Sequence, residues 1–373
     1  RFLRADAVEV LTASPDRVEP PCPYAGPGRC GGCDWQHATL AAQRKLKATV
    51  LAEQLRRLAR IDRPVVVEEV PGAADGSGWR TRVRFAVAAD GRLGLRKYRS
   101  HEVIPVEQCF IAHPAVNDSG VLSAIWTDTG EVAVTAAGSG EKAVLIRPQG
   151  SVAQVRAPRP RMDPMLSDDV DVMPDLPPGF SMTERVLERV GGRTYAVPAG
   201  GFWQIHPAAA TTLTQAVAEA LEPRPGEALL DLYAGSGLFA GFLAPALAPG
   251  GTVVAVEGDA AAVAAARDNL DGIPGVSVVA DRVDYALARG IGPAALVVLD
   301  PPRTGAGREV VESIAALGPR RVVYVACDPA ALARDIATFA ERGYALTGLR
   351  AFDLFPHTHH LEAVATLEPA TAG

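Results

Sequence analysis

Residues 228–237 read ALLDLYAGSG, a short apolar run that carries one acid, Asp231, and then breaks into glycines at 235 and 237. A strand followed by a tight turn is the reading, because only glycine enters such a turn freely while letting a ligand approach the backbone. Outward from it the texture repeats. TVVAVEGD is a strand and AAAVAAARDNL a helix; VSVVAD, ALVVLDPPR and RRVVYVACDP are strands ending in loops; AALARDIATFAERG is a helix and HLEAVATLE a closing strand. Repeated β–α units of this kind predict an α/β, Rossmann-like fold, an open and mainly parallel sheet with helices on both faces. Ligands on such sheets sit beyond the carboxyl ends of the strands, where the conspicuous residues of this region fall.

The 373 residues are enough for two or three domains at about 100 to 200 residues each. With 48% hydrophobic and 21% charged residues the composition is that of a folded chain, which excludes wholesale disorder. The net charge of -6 advertises no polyanion partner, so any nucleic-acid surface must come from uneven distribution. The uncharged stretch Leu238–Val256 is divided by Pro245, Pro249, Gly250 and Gly251, which excludes a membrane span. The opening RFLRADAVEVL has neither an apolar signal core nor an initiator Met, so a cytoplasmic protein with a piece upstream is expected. In that compartment the five cysteines read as metal ligands or catalysts rather than disulfides.

Upstream of the β–α repeats three further regions separate. Residues 1–21 read as one strand, ADAVEVL, with a Pro-rich exit. Residues 22–78 hold a cysteine loop and a helical stretch starting near Thr39, with Leu40, Leu46, Val50, Leu51, Leu55 and Leu58 as its apolar stripe. Residues 79–193 carry alternating runs (RTRVRFAVAAD, GEVAVTAAG, KAVLIRPQ) that predict a central antiparallel β-domain. That region closes on the irregular, Pro- and Asp-rich stretch 158–180. Residues 194–373 form the Rossmann-like domain.

Several motifs carry chemistry. The glycine turn suits a dinucleotide or S-adenosylmethionine equally, and Glu257, about 20 residues on, sits where a carboxylate would hold ribose hydroxyls. Asp300 ends a strand before two prolines, which stiffen a loop against which a base could lie. Cys327 ends another strand, ahead of Asp328 as N-cap and Pro329 as first helical residue. A thiol there meets unpaired N–H groups and the positive end of a helix, both favouring thiolate, while the Asp328 charge opposes it. Glu362 offers a carboxylate for proton transfer. His357, His359 and His360 raise a metal site as an alternative, without matched ligand spacing. Cys22, Cys30 and Cys33, completed by Cys109, are a set of four thiols suited to either a [4Fe–4S] cluster or structural zinc. Trp79–His101 holds seven Arg or Lys against one Asp, with Phe85 and Tyr98 interleaved, a candidate RNA-backbone surface or else a solvated strand face.

Taken in order, GRCGGCDWQH, GFWQIH, DLYAGSG, LDPPR, VACDPA and FPHTHHLE resemble the RNA 5-methyluridine methyltransferases, in the iron–sulfur branch that modifies 23S ribosomal RNA. The resemblance covers nearly the whole chain. It implies a class I methyltransferase domain behind an N-terminal cysteine-rich cluster loop. Cys327 would be the nucleophile and Glu362 the base. Gln204, Tyr233, Glu257 and Asp300 would line the S-adenosylmethionine site, with Gly235, Gly237 and Asp281 beside them. Cys22, Cys30, Cys33 and Cys109 would hold a [4Fe–4S] cluster rather than zinc. The implied partner is RNA, ribosomal with transfer RNA as the alternative, read through a basic surface and a stacking face from Phe202 or Trp203. No obligate protein partner is implied. The first 21 residues would be the remnant of an RNA-binding β-barrel. The chain departs from the family at Leu238 (more often polar), at Asp328 (more often Asn) and in the longer gap between Cys22 and Cys30. An NAD-dependent oxidoreductase would use the glycine turn but leaves Cys327, Glu362 and the basic segment unexplained. A non-catalytic RNA-binding protein of this fold is the other alternative.

Overall fold

A computed structural model of the chain describes residues 9–148 and 182–370. Most of the expected strand ADAVEVL and all of the 158–180 stretch lie outside them. Helix α1 (Leu40–Gln54) is capped by Thr39, whose Oγ1 accepts from the Ala42 N–H at 3.3 Å, and it widens into a π-type turn over Leu55–Ala59. Strand β1 (Val67–Glu69) follows. A five-stranded antiparallel sheet comes next, built from β2 (Arg82–Val87), β3 (Leu93–Arg96), β4 (Val103–Pro105), β5 (Thr129–Ala136) and β6 (Lys142–Pro148), with short helix α2 (Pro114–Asn117) ahead of β5. Strands β7 (Arg185–Val190) and β8 (Arg193–Pro198) form a hairpin turned by Gly191 and Gly192, both at positive φ.

From α3 (Ala209–Leu221) onward, strands and helices alternate. The succession is β9 (Ala228–Leu232), α4 (Leu238–Leu247), β10 (Thr252–Glu257), α5 (Ala260–Leu270), β11 (Val276–Ala280), α6 (Val283–Ala288), β12 (Leu296–Leu299), α7 (Arg308–Ala316), β13 (Arg321–Ala326), α8 (Pro329–Glu341), β14 (Tyr344–Asp353) and β15 (Glu362–Pro369). These strands and β1 make an eight-stranded sheet in the order β1-β14-β15-β13-β12-β9-β10-β11. The pairs among β9 to β13 are parallel, β15 lies antiparallel between β13 and β14, and β1 runs parallel to β14.

Because strand side chains alternate between faces, each strand feeds two cores. Leu230, Val322 and Tyr324 meet Leu51, Leu55, Ile314, Leu332 and Phe339 on one side. Leu229, Val323 and Val325 meet Leu213, Val217, Phe239 and Leu243 on the other. Each such aliphatic or aromatic side chain contributes about 1.5–3 kcal/mol when fully buried, so the sheet is anchored from both faces. Strand order reverses between β9 and β12, and a crevice opens there beyond their carboxyl ends. Among the described residues no helix is long and apolar enough to cross a membrane.

Two readings need correction. Strand β14 was not anticipated, because Gly348 sits at a register irregularity that breaks its alternation. The stripe expected on α1 is only half right: Leu51 and Leu55 are buried, whereas Leu46, Val50 and Leu58 are exposed. Gln43 and Lys47 turn inward in their place, and each meets a partner distant in sequence, the His357 N–H donating to Gln43 Oε1 at 2.7 Å. Gln43 Nε2 donates to the carbonyls of Trp35 and Ala38, and Lys47 Nζ donates to Asp353 Oδ1 at 2.5 Å and to the Phe355 carbonyl at 3.0 Å. Burial holds the Lys47 ammonium below its usual range despite the Asp353 carboxylate beside it.

Candidate active site

Ala326 pairs with Ala363 in the antiparallel β13–β15 ladder. The ladder ends there, Cys327 and Glu362 are the next residues outward on its two chains, and the Glu362 carboxylate is near enough to act on the thiol by its charge. Leu299 pairs with Tyr324 in the parallel β12–β13 ladder, so Asp300 leaves β12 beside the same strand end. Three acidic groups therefore converge. Burial, then the Glu362 and Asp300 charges, push the Cys327 thiol up to about 11. Burial, reinforced by Asp300, holds the Glu362 carboxyl well above its usual range, and burial pushes Asp300 up to about 7.

One cation opposes this trend. Arg303, four residues after Leu299, lowers both Cys327 and Glu362 by its charge, and its Nη2 lies 3.5 Å from His360 Nε2. It was missed as a site residue, although the quoted LDPPR motif contains it. Of the opposing effects expected at the helix start, the one favouring thiolate is outweighed. Pro329 offers no N–H, and Asp328 Oδ1 accepts from the Ala331 N–H at 2.7 Å, so little of the free positive end of α8 remains for the sulfur.

The glycine turn behaves as its sequence requires. Tyr233, Gly235 and Gly237 all have positive φ, at 63°, 56° and 86°. A Cβ on Gly237 would press on Leu270 at 2.9 Å, whereas one on Gly235 would meet nothing within 4 Å, leaving open space above that backbone. Asp231 is buried; its Oδ2 accepts from the Ala240 N–H at 2.8 Å while Oδ1 has no partner, and burial pushes the carboxyl up to about 8. Glu257 accepts from the N–H groups of Gly235, Gly258 and Asp259 at 2.7–2.8 Å.

A cleft with about 1220 Å³ of empty space, partly open to solvent, is lined by Tyr233, Glu257, Arg282, Pro302 and residues 304–310. Tyr233 and Glu257 thus meet as expected. Asp281 stands just behind, its N–H donating to the Glu257 carbonyl and its carboxylate paired with Arg289. Gln204 is buried on the loop after β8 and does not line the cleft.

The four thiols of Cys22, Cys30, Cys33 and Cys109 line one small pocket with Tyr24, Gln36 and Phe110. Burial raises Cys30 and Cys109 and pushes Cys33 up to about 12. Gly31 is required there, since a Cβ would strike the Tyr98 backbone at 2.6 Å. Among the described residues no three His, Cys, Asp or Glu groups converge closely enough to hold a single ion. The histidine alternative fails with it. His357 is buried, its Nδ1 3.2 Å from Gln43 Nε2, and His359 Nδ1 lies 2.6 Å from Asp34 Oδ2.

The basic segment divides. Arg82 is buried against Glu188 at 3.2 Å and Phe85 is a core residue, so neither belongs to a docking surface. Arg92 and Lys97 pair with Asp90 and Glu102, and Tyr98 is exposed. Of the two aromatic candidates, Trp203 is buried against Tyr195 and excluded as a stacking face, whereas Phe202 is 74% exposed.

A family model described as tRNA (Uracil-5-)-methyltransferase matches residues 293–369, the segment that holds Asp300, Cys327 and Glu362. The chain is 49% identical over its whole length to an RNA methyltransferase of Streptomyces avermitilis, spanning 88% of that protein. It is 30% identical to the 23S rRNA (uracil(1939)-C(5))-methyltransferase RlmD of a Shewanella strain, covering 99% of this chain and 86% of that one. Among solved structures, the Pyrococcus abyssi tRNA (uracil-54, C5)-methyltransferase in complex with S-adenosyl-L-homocysteine matches with a TM-score of 0.69. That match covers 96% of this chain and 88% of the other at 21% identity, a likeness of fold.

Proposed function

The chain belongs to the RNA (uracil-5)-methyltransferases, and from that premise we propose that it methylates C5 of a uridine in ribosomal RNA through a transient bond between Cys327 and C6 of the ring. The observation that carries the reading is the convergence of Cys327, Glu362 and Asp300 just past the paired ends of β13, β15 and β12.

Uracil C5 is a poor nucleophile. Addition of the Cys327 thiolate to C6 moves the ring's π pair toward O4, giving an enolate whose C5 can accept a methyl cation equivalent. S-adenosylmethionine, when bound, would supply that methyl group, the broken S–CH3 pair passing to the sulfonium sulfur and S-adenosylhomocysteine leaving as a neutral thioether. Glu362 then takes the C5 proton, the C5–C6 double bond re-forms and the Cys327 thiolate leaves. Its raised affinity for a proton suits a base that must accept one from carbon near neutral pH. Arg303 favours the thiolate on entry and on departure. The open backbone at Gly235, with Tyr233 and Glu257 lining the cleft, supports placing the donor there. Asp300, two residues before Pro302 of the cleft wall and near enough to Cys327 to raise its thiol, would face the donor's reacting end. The exposed Phe202 suits stacking on a nucleotide turned out of the RNA.

Cys22, Cys30, Cys33 and Cys109 would hold a [4Fe–4S] cluster. The donor set fits, with four thiols and no carboxylate in one largely apolar pocket. Structural zinc on the same four thiols is the alternative. RlmD of Shewanella favours ribosomal over transfer RNA, and a cytoplasmic location belongs to the same reading.

The test is methyl transfer from labelled donor to uridine-containing RNA, together with RNA carrying 5-fluorouridine. Active wild type, inactive Cys327→Ala that still binds donor, and a protein–RNA adduct through Cys327 are the expected results. Turnover by Cys327→Ala would refute the mechanism.

A further inference from the structure

Asp335 is buried on α8, seven residues after the cap Asp328, and neither of the roles above uses it. Its Oδ2 takes three donors: Tyr324 Oη–H at 2.7 Å, the Ala306 N–H at 2.8 Å and the Gly307 N–H at 3.4 Å. Tyr324, itself buried on β13, brings its Oη within 3.1 Å of the same Ala306 N–H. Gly305 completes the fit. Its φ is +88°, and a Cβ there would come within 2.7 Å of Asp335 Oδ2.

Gly305, Ala306 and Gly307 line the large cleft, whereas Asp335 and Tyr324 do not. Helix α8 is already seated on the sheet by Leu332, Ile336 and Phe339, so a buried carboxyl is not needed to hold it. What the carboxyl holds is the loop. The helix also begins two residues after Cys327, at Pro329, and at 1.5 Å per residue Asp335 lies about 9 Å along it. One rigid rod therefore carries the nucleophile at its start and the wall of the cleft two turns later.

We propose that Asp335 and Tyr324 are positioning residues for the methyl donor, fixing residues 305–307 as a wall of its pocket at a set distance from Cys327. This rests on reading the cleft as the donor site.

The experiment is calorimetric titration of the full chain with S-adenosylhomocysteine, alongside thermal melting. Wild type should bind. Asp335→Asn, which removes the charge and can accept through one oxygen only, should weaken binding about tenfold or more, and Tyr324→Phe several-fold. Gly305→Ala, which attacks the same contact from the loop side, should weaken it without adding to Asp335→Asn. The KM for donor should rise in step while kcat at saturating donor holds within about twofold, a split that loss of general stability would not give. Lowered melting temperatures with unchanged affinity in both Tyr324→Phe and Asp335→Asn would overturn the proposal. Failure of wild type to bind would instead remove the donor reading of the cleft, and the clamp's role with it.

Discussion

Cys327 and Glu362 stand at one end of the β13–β15 ladder, the first one residue past the exit of β13 and the second at the entry of β15. Only an antiparallel neighbour brings a strand's exit against another's entry, so the single reversal in this part of the sheet is what unites thiol and carboxyl.

Glu362→Gln keeps the shape and removes the base. Turnover should fall about 10²- to 10⁴-fold, the usual worth of a positioned general base. The ring should still bond to Cys327, so a protein–RNA adduct should accumulate with natural uridine and be visible as a shifted band on denaturing gels. Loss of turnover with no adduct would place Glu362 before the addition step.

Alkylation of Cys327, followed by mass spectrometry of its peptide, should be slow near neutrality and rise with pH towards about 11. The charges around it fix the signs. Arg303→Ala should move the midpoint up and Glu362→Gln should move it down. S-adenosylmethionine, with its sulfonium charge, should accelerate the reaction, and S-adenosylhomocysteine should not. Equal effects of the two would disconnect the cleft from the thiol.

Asp231 gives a stability prediction. Its carboxyl is pushed from 3.8 up to about 8, so the folded chain keeps a proton that the unfolded chain releases, and stability falls as pH rises across that window. Asp231→Asn still offers an acceptor to Ala240 and cannot ionise. In urea titrations without donor it should be more stable than wild type by more than ~1 kcal/mol at pH 8.5, the gap closing towards pH 4. A constant gap would show that charge is not the cause.

Protein prepared without oxygen should be coloured and carry about four iron atoms per chain, and Cys33→Ala should lose both. Removing the iron should lower the melting temperature, since it frees the loop from Cys22 to Cys33. A colourless, iron-free preparation made under those conditions contradicts the cluster.

Phe202→Ala should weaken RNA binding by about 1–3 kcal/mol, the worth of one stacked base, and leave homocysteine-analogue binding alone. Trp203→Ala should do the reverse, costing about 3–5 kcal/mol of stability because that ring fills the core beside Tyr195.

The Rossmann-like half was legible because its signals are local. ALLDLYAGSG, LDPPR and VACDPA each state a strand and its exit, and the strand ends carry Asp300, Cys327 and Glu362. What stayed hidden depends on partners far along the chain. Lys47 reads as a surface residue until Asp353, 306 residues later, is seen against it. Arg82 reads as part of a basic face until Glu188 neutralises it. Phe202 and Trp203 are adjacent and chemically alike, and only the hydrophobic cluster around Tyr195 decides which is withdrawn. At Cys327 the local sequence shows the helix start and the opposing Asp328, but not the Glu362 and Asp300 carboxyls that the sheet delivers.

Strand β1 reaches across from residue 67 to cover the far edge at β14, and α1 lends Lys47 to Asp353 on the way. Excising residues 194–373 would therefore not yield a minimal enzyme. The fragment would unpair the last three residues of β14, Ala351–Asp353, and it would strand the Asp353 carboxylate in its interior. Chimeras that swap the front of the molecule between relatives must carry residues 40–69 with the back half, or they will exchange parts of a single folding unit.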